Sequence, residues 1–212
     1  SVVKELLENA LDAQATQISI DVAYGGLNQI KISDNGIGIV ADDLPLAIAA
    51  HATSKITTLN DLYAIDTMGF RGEALASIAS ISRLSISSKP EHQDNGMMLH
   101  SQGGAYGLTP CARTVGTTID VVDLFFNAPV RKRFLKSEQI EFQAIDAVVK
   151  RFALSAPHIA ITLRHNHKPM YFLPSALNET AKQERLAKIF GRAFIKDAMY
   201  LEVSQGSMAL SG

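Results

Sequence analysis

Along the first fourteen residues the apolar positions Val3, Leu6, Leu7 and Ala10, widened by Val2 and Leu11, recur at the helical period and predict an amphipathic helix over about 1–14. The period then drops to two. Ile18, Ile20 and Val22 face one way, Gly25-Gly26 supplies a turn, and Ile30 and Ile32 resume the alternation, so a hairpin is expected with the helix covering its apolar face. Helices are expected over 42–52 and 73–81, and between them 54–71 mixes Thr, Asn, Asp and Gly as a long connecting loop does. A loop of that length inside a domain points to function. Further strands are expected at 83–88, 97–101 and 117–123, a helix at 138–154 and a second hairpin near 159–173. Pro174 to Glu179 reads as a linker, after which Arg185 to Phe190 and the alternation near 199–211 open a second domain. Strands and helices do not alternate regularly, which makes the fold class α+β.

Composition narrows the class. A chain of 212 residues with 47% hydrophobic and 19% charged residues buries a core without cross-links and is a soluble globular protein. The one cysteine, Cys111, has no internal partner and reads as a small packing residue. No apolar run approaches the roughly 18 residues that span a bilayer, and no signal pattern opens the chain, so no membrane partner is expected. A cytosolic location is expected, nucleoid-associated in a bacterium or nuclear in a eukaryote. Ser1 begins directly inside the helical pattern, as in a fragment of a longer protein. Residues 1–75 carry ten acids against four Lys or Arg, and the remainder eleven against sixteen. An acidic half suits metal-bound phosphates and a basic half a polyanion, although such an imbalance is also ordinary for a solvated surface.

The candidate chemistry begins on the first helix, where Glu5 and Asn9 at i, i+4 lie 40° apart at the border of the apolar arc and can share one ligand. Alone they would be a solvated edge, as Lys4 and Glu8 are. Strand parity adds Asp34 to the core-facing side with Ile30 and Ile32. A buried carboxylate needs a donor, and an adenine amino group suits this acceptor-only side chain. The competing reading is a turn acid before Asn35-Gly36. Gly36 and Gly38 leave a backbone edge against which a planar base can rest. The third feature is Gly69-Phe70-Arg71-Gly72-Glu73-Ala74-Leu75, a glycine-bracketed turn entering a helix whose free N–H groups favour phosphate. It follows Thr53, Ser54 and Lys55, which also suit phosphate oxygens, and Gly116-Thr117-Thr118 precedes a strand.

Together these segments resemble, in order and spacing, the four nucleotide-binding motifs of the GHKL ATPases, the superfamily of gyrase B subunits, ninety-kilodalton heat-shock chaperones, histidine kinases and MutL proteins. The run Lys4 to Ala13, the stretch His51-Ala52-Thr53-Ser54-Lys55-Ile56 and the heptad at Gly69 resemble the MutL family in particular, as does Asn127-Ala128-Pro129-Val130-Arg131-Lys132-Arg133-Phe134. The resemblance implies a Bergerat-type sandwich, helices on one face of a mixed, mostly antiparallel sheet, with an ATPase domain at 1–180 and the start of a transducer-type domain at 181–212. It implies that Glu5 is the general base, Asn9 a Mg²⁺ ligand, Asp34 the acceptor of the adenine amino group and Thr117 its support. Gly36 and Gly38 admit the base, and Thr53, Ser54, Lys55 and Gly69 through Leu75 close over the phosphates. It also implies ATP and Mg²⁺ as cofactors, dimerisation on ATP binding, and mismatch-recognition and downstream repair proteins as partners. The family's short N-terminal arm and its phosphate-contacting lysine from the second domain have no counterpart in these 212 residues, so weak hydrolysis is expected.

Two other readings stay open. One is a gyrase-like or chaperone-like GHKL ATPase, which shares the acid, Asn and Asp but not the Gly69 heptad. The other is a module that grips DNA or a repair partner and holds ATP as a structural ligand, motivated by Arg131, Lys132, Arg133 and Lys136 with Lys150 and Arg151. No aromatic interleaving marks a single-strand platform there. The six histidines show no ligand spacing, so no zinc site is expected.

Overall fold

Helix α1 (Val2–Asp12) buries Val3, Leu6, Leu7 and Ala10, the stripe that its period requires. It ends where Gln14 takes a left-handed φ of 59° and the Ala15 N–H returns to the Ala10 carbonyl at 3.1 Å, a cap that closes the last turn. The computed structural model describes residues 2–49, 74–197, 202–205 and 208–211. The expected loop at 54–71, and with it Thr53, Ser54, Lys55 and Gly69 to Glu73, lies outside the described residues.

The chain divides into two units, 1–175 and 176–212. After α1, the first unit contains β1 (Gln17–Ala23), β2 (Gln29–Asp34), α2 (Leu44–Ala47), α3 (Ala74–Ile81), β3 (Arg83–Lys89), β4 (Gly96–Gln102), β5 (Ala105–Cys111), β6 (Gly116–Val122), α4 (Pro129–Arg133), α5 (Glu138–Ser155), β7 (Ala160–His165) and β8 (Lys168–Leu173). The strands form one eight-stranded sheet in the order β5-β4-β3-β6-β2-β1-β7-β8. Each neighbouring pair is antiparallel except β1 with β7. Ile18, Ile20 and Val22 of β1, Ile30 and Ile32 of β2, Leu84 and Ile86 of β3, Ile119 and Val121 of β6, and Ile161 and Leu163 of β7 are buried. Helix α1 packs against α5 and β2, and α3 against β3 and β4. The residues between the buried ones are hydrophilic and pair across strands: Gln29 donates to both oxygens of Asp120 at 2.9 and 3.0 Å, and Thr118 to Ser33 at 2.9 Å. The result is an α+β layer of helices on a mixed, mostly antiparallel sheet.

Two expectations change, and one strand was not expected. Of the helix expected over 42–52, the described residues form a 3₁₀ turn, Ala41–Asp43, followed by the single turn of α2 and a turn and bend at Ile48 and Ala49, and 50–52 lie outside the described residues. Strand β5 carries no apolar alternation, and its residues Ala105 to Pro110 are all exposed. It is an edge strand, paired on one side only, the kind of strand in which a proline such as Pro110 is accommodated. In the second unit, α6 (Glu179–Phe190) starts inside the expected linker because the Asn178 side chain accepts the Ala181 N–H at 2.9 Å and caps it. That unit continues with α7 (Arg192–Asp197) and an antiparallel pair, β9 (Glu202–Gln205) and β10 (Met208–Ser211).

Candidate functional site

The sheet register brings Asp34 opposite Ile18 on one side and Thr117 on the other, and Thr117 opposite Ser88. One cross-strand row on the core side therefore runs Ser88, Thr117, Asp34, Ile18, changing from polar to apolar at the carboxylate. Asp34 Oδ1 accepts the backbone N–H of Gly36 at 2.8 Å and of Thr117 at 3.3 Å. Both donors meet the same oxygen, which leaves Oδ2 for a further donor. Burial pushes the Asp34 carboxyl above the ordinary carboxylate range, against the opposing pull of those two N–H groups and of the Arg113 charge.

The Thr117 hydroxyl does not hydrogen-bond Asp34. Its hydroxyl shares a 2.9 Å hydrogen bond with the Ser88 hydroxyl, and Ser88 also accepts the Ile39 N–H at 2.7 Å and reaches the Gly116 carbonyl at 3.2 Å. Thr117 supports the acid through its backbone, while Ser88 ties β3, β6 and the segment after Gly38 into one frame. Sequence reading missed Ser88, although its position in the series Leu84, Ile86, Ser88 marks a polar side chain at a buried parity. It is fully buried.

The turn after β2 fastens this frame to α1. The Ile37 N–H donates to the Ala13 carbonyl at 2.9 Å, and a Cβ on Gly36 would stand 2.5 Å from that same carbonyl oxygen. Gly38 has φ +77°, and a Cβ there would lie 2.6 Å from the Lys89 carbonyl oxygen. Both glycines are thus demanded by the protein's own close packing. Asn35 completes the junction: its Oδ1 accepts the Thr16 and Gln17 N–H groups at 2.9 and 2.8 Å, and its Nδ2 donates to the Thr16 hydroxyl at 2.8 Å.

On α1, Glu5 and Asn9 are both half-buried, beside the fully buried stripe. Lys4 and Glu8 form an i, i+4 ion pair at 3.3 Å in which the Glu8 side chain is only 14% exposed, so the solvated edge expected of the pair holds for Lys4 alone. Ala74 and Leu75 begin α3, both half-buried. At α4, Val130, Arg131, Lys132, Arg133, Phe134 and Lys136 are exposed, and Asn127 donates to the Ser80 carbonyl at 2.7 Å, anchoring the segment to the end of α3. Lys150 is engaged with Asp146 at 2.7 Å, which withdraws it from the basic stretch. Among the described residues no cluster of three or more His, Cys, Asp or Glu can hold a metal, and no helix is long and apolar enough to cross a membrane.

Residues 1–103 match the family described as histidine kinase-, DNA gyrase B- and HSP90-like ATPase. Over the whole chain the sequence is 47% identical to a DNA mismatch repair protein MutL of Histophilus somni and 49% identical to one of Vibrio vulnificus, covering 35% and 32% of those proteins. The chain thus spans about a third of the length of these relatives. Among solved structures it resembles the Aquifex aeolicus MutL ATPase domain complexed with ADP, with TM-score 0.72 and 29% identity over 95% of this chain and 69% of that one. It also resembles the N-terminal domain of a DNA repair protein, with TM-score 0.76 and 29% identity over 95% of this chain and 59% of that one. Whole-chain identity to these relatives, a shared Bergerat (GHKL) fold and the glycine-framed carboxylate at the end of β2 lead to one conclusion: the chain belongs to the MutL family of DNA mismatch repair proteins and is built as its ATPase domain.

Proposed function

We propose that this domain binds ATP with Mg²⁺ and hydrolyses it slowly, Asp34 reading the adenine and Glu5 serving as general base. The observation that carries the reading is the half-used Asp34 carboxylate: Oδ1 is fixed by two backbone donors and Oδ2 is left to accept from an exocyclic amino group. The donor set fits the ligands. An acceptor-only carboxylate between glycines suits an amino-bearing planar base, and the neutral carboxamide of Asn9 suits a Mg²⁺ ion that keeps most of its shell from triphosphate and water oxygens. When bound, the ion would neutralise charge on the phosphate oxygens. Glu5, one helical turn before Asn9, orients a water toward the terminal phosphorus and takes its proton, since phosphoryl transfer to water needs positioning and charge more than covalent help.

On the family's pattern, Thr53, Ser54, Lys55 and Gly69 to Leu75 contact and close over the phosphates. Residues 181–212 open the domain that follows, and nucleotide-driven dimerisation passes the signal from mismatch recognition to later repair factors. The exposed cations of α4 favour a second, compatible reading, contact with DNA; a phosphate-binding patch loses affinity steeply with added salt, and salt-independent retention on DNA would count against it.

Titration of labelled ATP with and without Mg²⁺ tests the assignment. Asp34→Asn should abolish most of the binding, and Asn9→Ala should bind ATP with little dependence on Mg²⁺. Wild-type affinity in the first variant, or unchanged Mg²⁺ dependence in the second, would overturn the role concerned.

A further inference from the structure

The connection from β5 to β6, residues 112–115, must pass the ends of β4 and β3, because those two strands lie between its own in the sheet. Arg113 stands in the middle of that crossing. Its stem runs beside Gly96 at the start of β4, where a Cβ would come within 2.6 Å of Arg113 Cγ. Its guanidinium Nη1 donates to the Ser87 carbonyl and, at 3.1 Å, to the Ser87 hydroxyl, while Nε donates to the Thr114 carbonyl at 3.0 Å. Ser87 precedes Ser88, and Thr114 comes three residues before Thr117. One half-buried side chain thereby staples the crossing to β3, next to both members of the polar row that ends on Asp34.

We propose that Arg113 is a positioning residue for base recognition, holding the Ser88, Thr117 and Asp34 row in register through its clamp on Ser87 and Thr114. This rests on the reading of Asp34 as the acceptor of the adenine amino group. The fixed fork of a guanidinium suits the task, since its donors are pre-set toward both carbonyls, whereas a lysine must order a flexible stem to hold the two. Its charge also works in the same sense on Asp34, favouring the ionised, acceptor-only carboxylate against the cost of burial. Gly96 belongs to the same device, because a side chain there would displace the arginine stem from its course.

The test compares equilibrium binding of ATP with that of inosine triphosphate, whose base carries an oxygen in place of the amino group, so that phosphate contributions cancel in the ratio. Arg113→Met and Gly96→Ala should each lower the preference for ATP about tenfold, within the range for coupled neighbours. Arg113→Lys should restore part of it. In an Asp34→Asn background, where the preference is already lost, Arg113→Met should change the ratio no further. An unchanged ratio in both Arg113→Met and Gly96→Ala, with Asp34→Asn still abolishing the preference, overturns the role of Arg113 and leaves that of Asp34 standing. An equal effect of Arg113→Met with and without Asp34 also overturns it. If Asp34→Asn itself leaves the ratio intact, the base-recognition reading fails and this inference with it.

Discussion

Asp34 shows how one side chain can be both supported and available. In Asp34→Asn the amide oxygen can still accept from Gly36 and Thr117, but the amide nitrogen then opposes the adenine amino group, donor against donor. Loss of one charge-assisted bond costs about 1.5–3 kcal/mol, so ATP affinity should fall at least about tenfold, measurable by calorimetric titration. Stability should move the other way. Because burial raises the folded-state pKa of Asp34 above its unfolded value, the ionised carboxyl costs stability as pH rises through that folded value. Nucleotide-free Asp34→Asn should therefore melt no lower than wild type at neutral pH, and a clear drop in its melting temperature would show that the charge is compensated. The same shift gives a sign for binding: ATP affinity should decline on acidification at a higher pH than an ordinary carboxylate would dictate.

At the scale of elements, α1 and the turn after β2 act as one part, joined through Ala13, Gly36 and Ile37. Gly38→Ala should strain this joint twice, by its φ of +77° and by the approach to the Lys89 carbonyl, and lower stability by about 1–3 kcal/mol in denaturant titration. Wild-type stability would mean that the turn has an alternative conformation. Most of the layout was legible from period alone, because α1, β1, β2, β3, β6 and β7 each bury one regular stripe. Strand β5 was not, since an exposed edge strand has no stripe to read. The Asp34 acid stood out by parity, and Ser88 stands at the same kind of position. Arg113 carries no local signal at all: its reach to Ser87 follows from a crossing that only the strand order β5-β4-β3-β6 creates. The asparagine that starts α6, by contrast, is an ordinary cap visible in the sequence once the helix is known.

For the whole molecule, the proposed site is a junction of a helix and two sheet segments, so ligand binding and folding should be linked. Saturating ATP at about a hundred times its dissociation constant should add about 2.7 kcal/mol to stability, and at the same ATP concentration the rise in melting temperature should fall to about half or less in Asp34→Asn. On the proposed assignment, base recognition comes from the sheet end and the general base from α1, which would separate binding from turnover. The most direct test is single-turnover hydrolysis of labelled ATP by Glu5→Ala, with protein in excess and affinity measured in parallel. ATP should bind within a few-fold of wild type while hydrolysis slows at least ~100-fold, the scale for loss of a general base; binding that is intact with hydrolysis near the wild-type rate would contradict the assignment of Glu5.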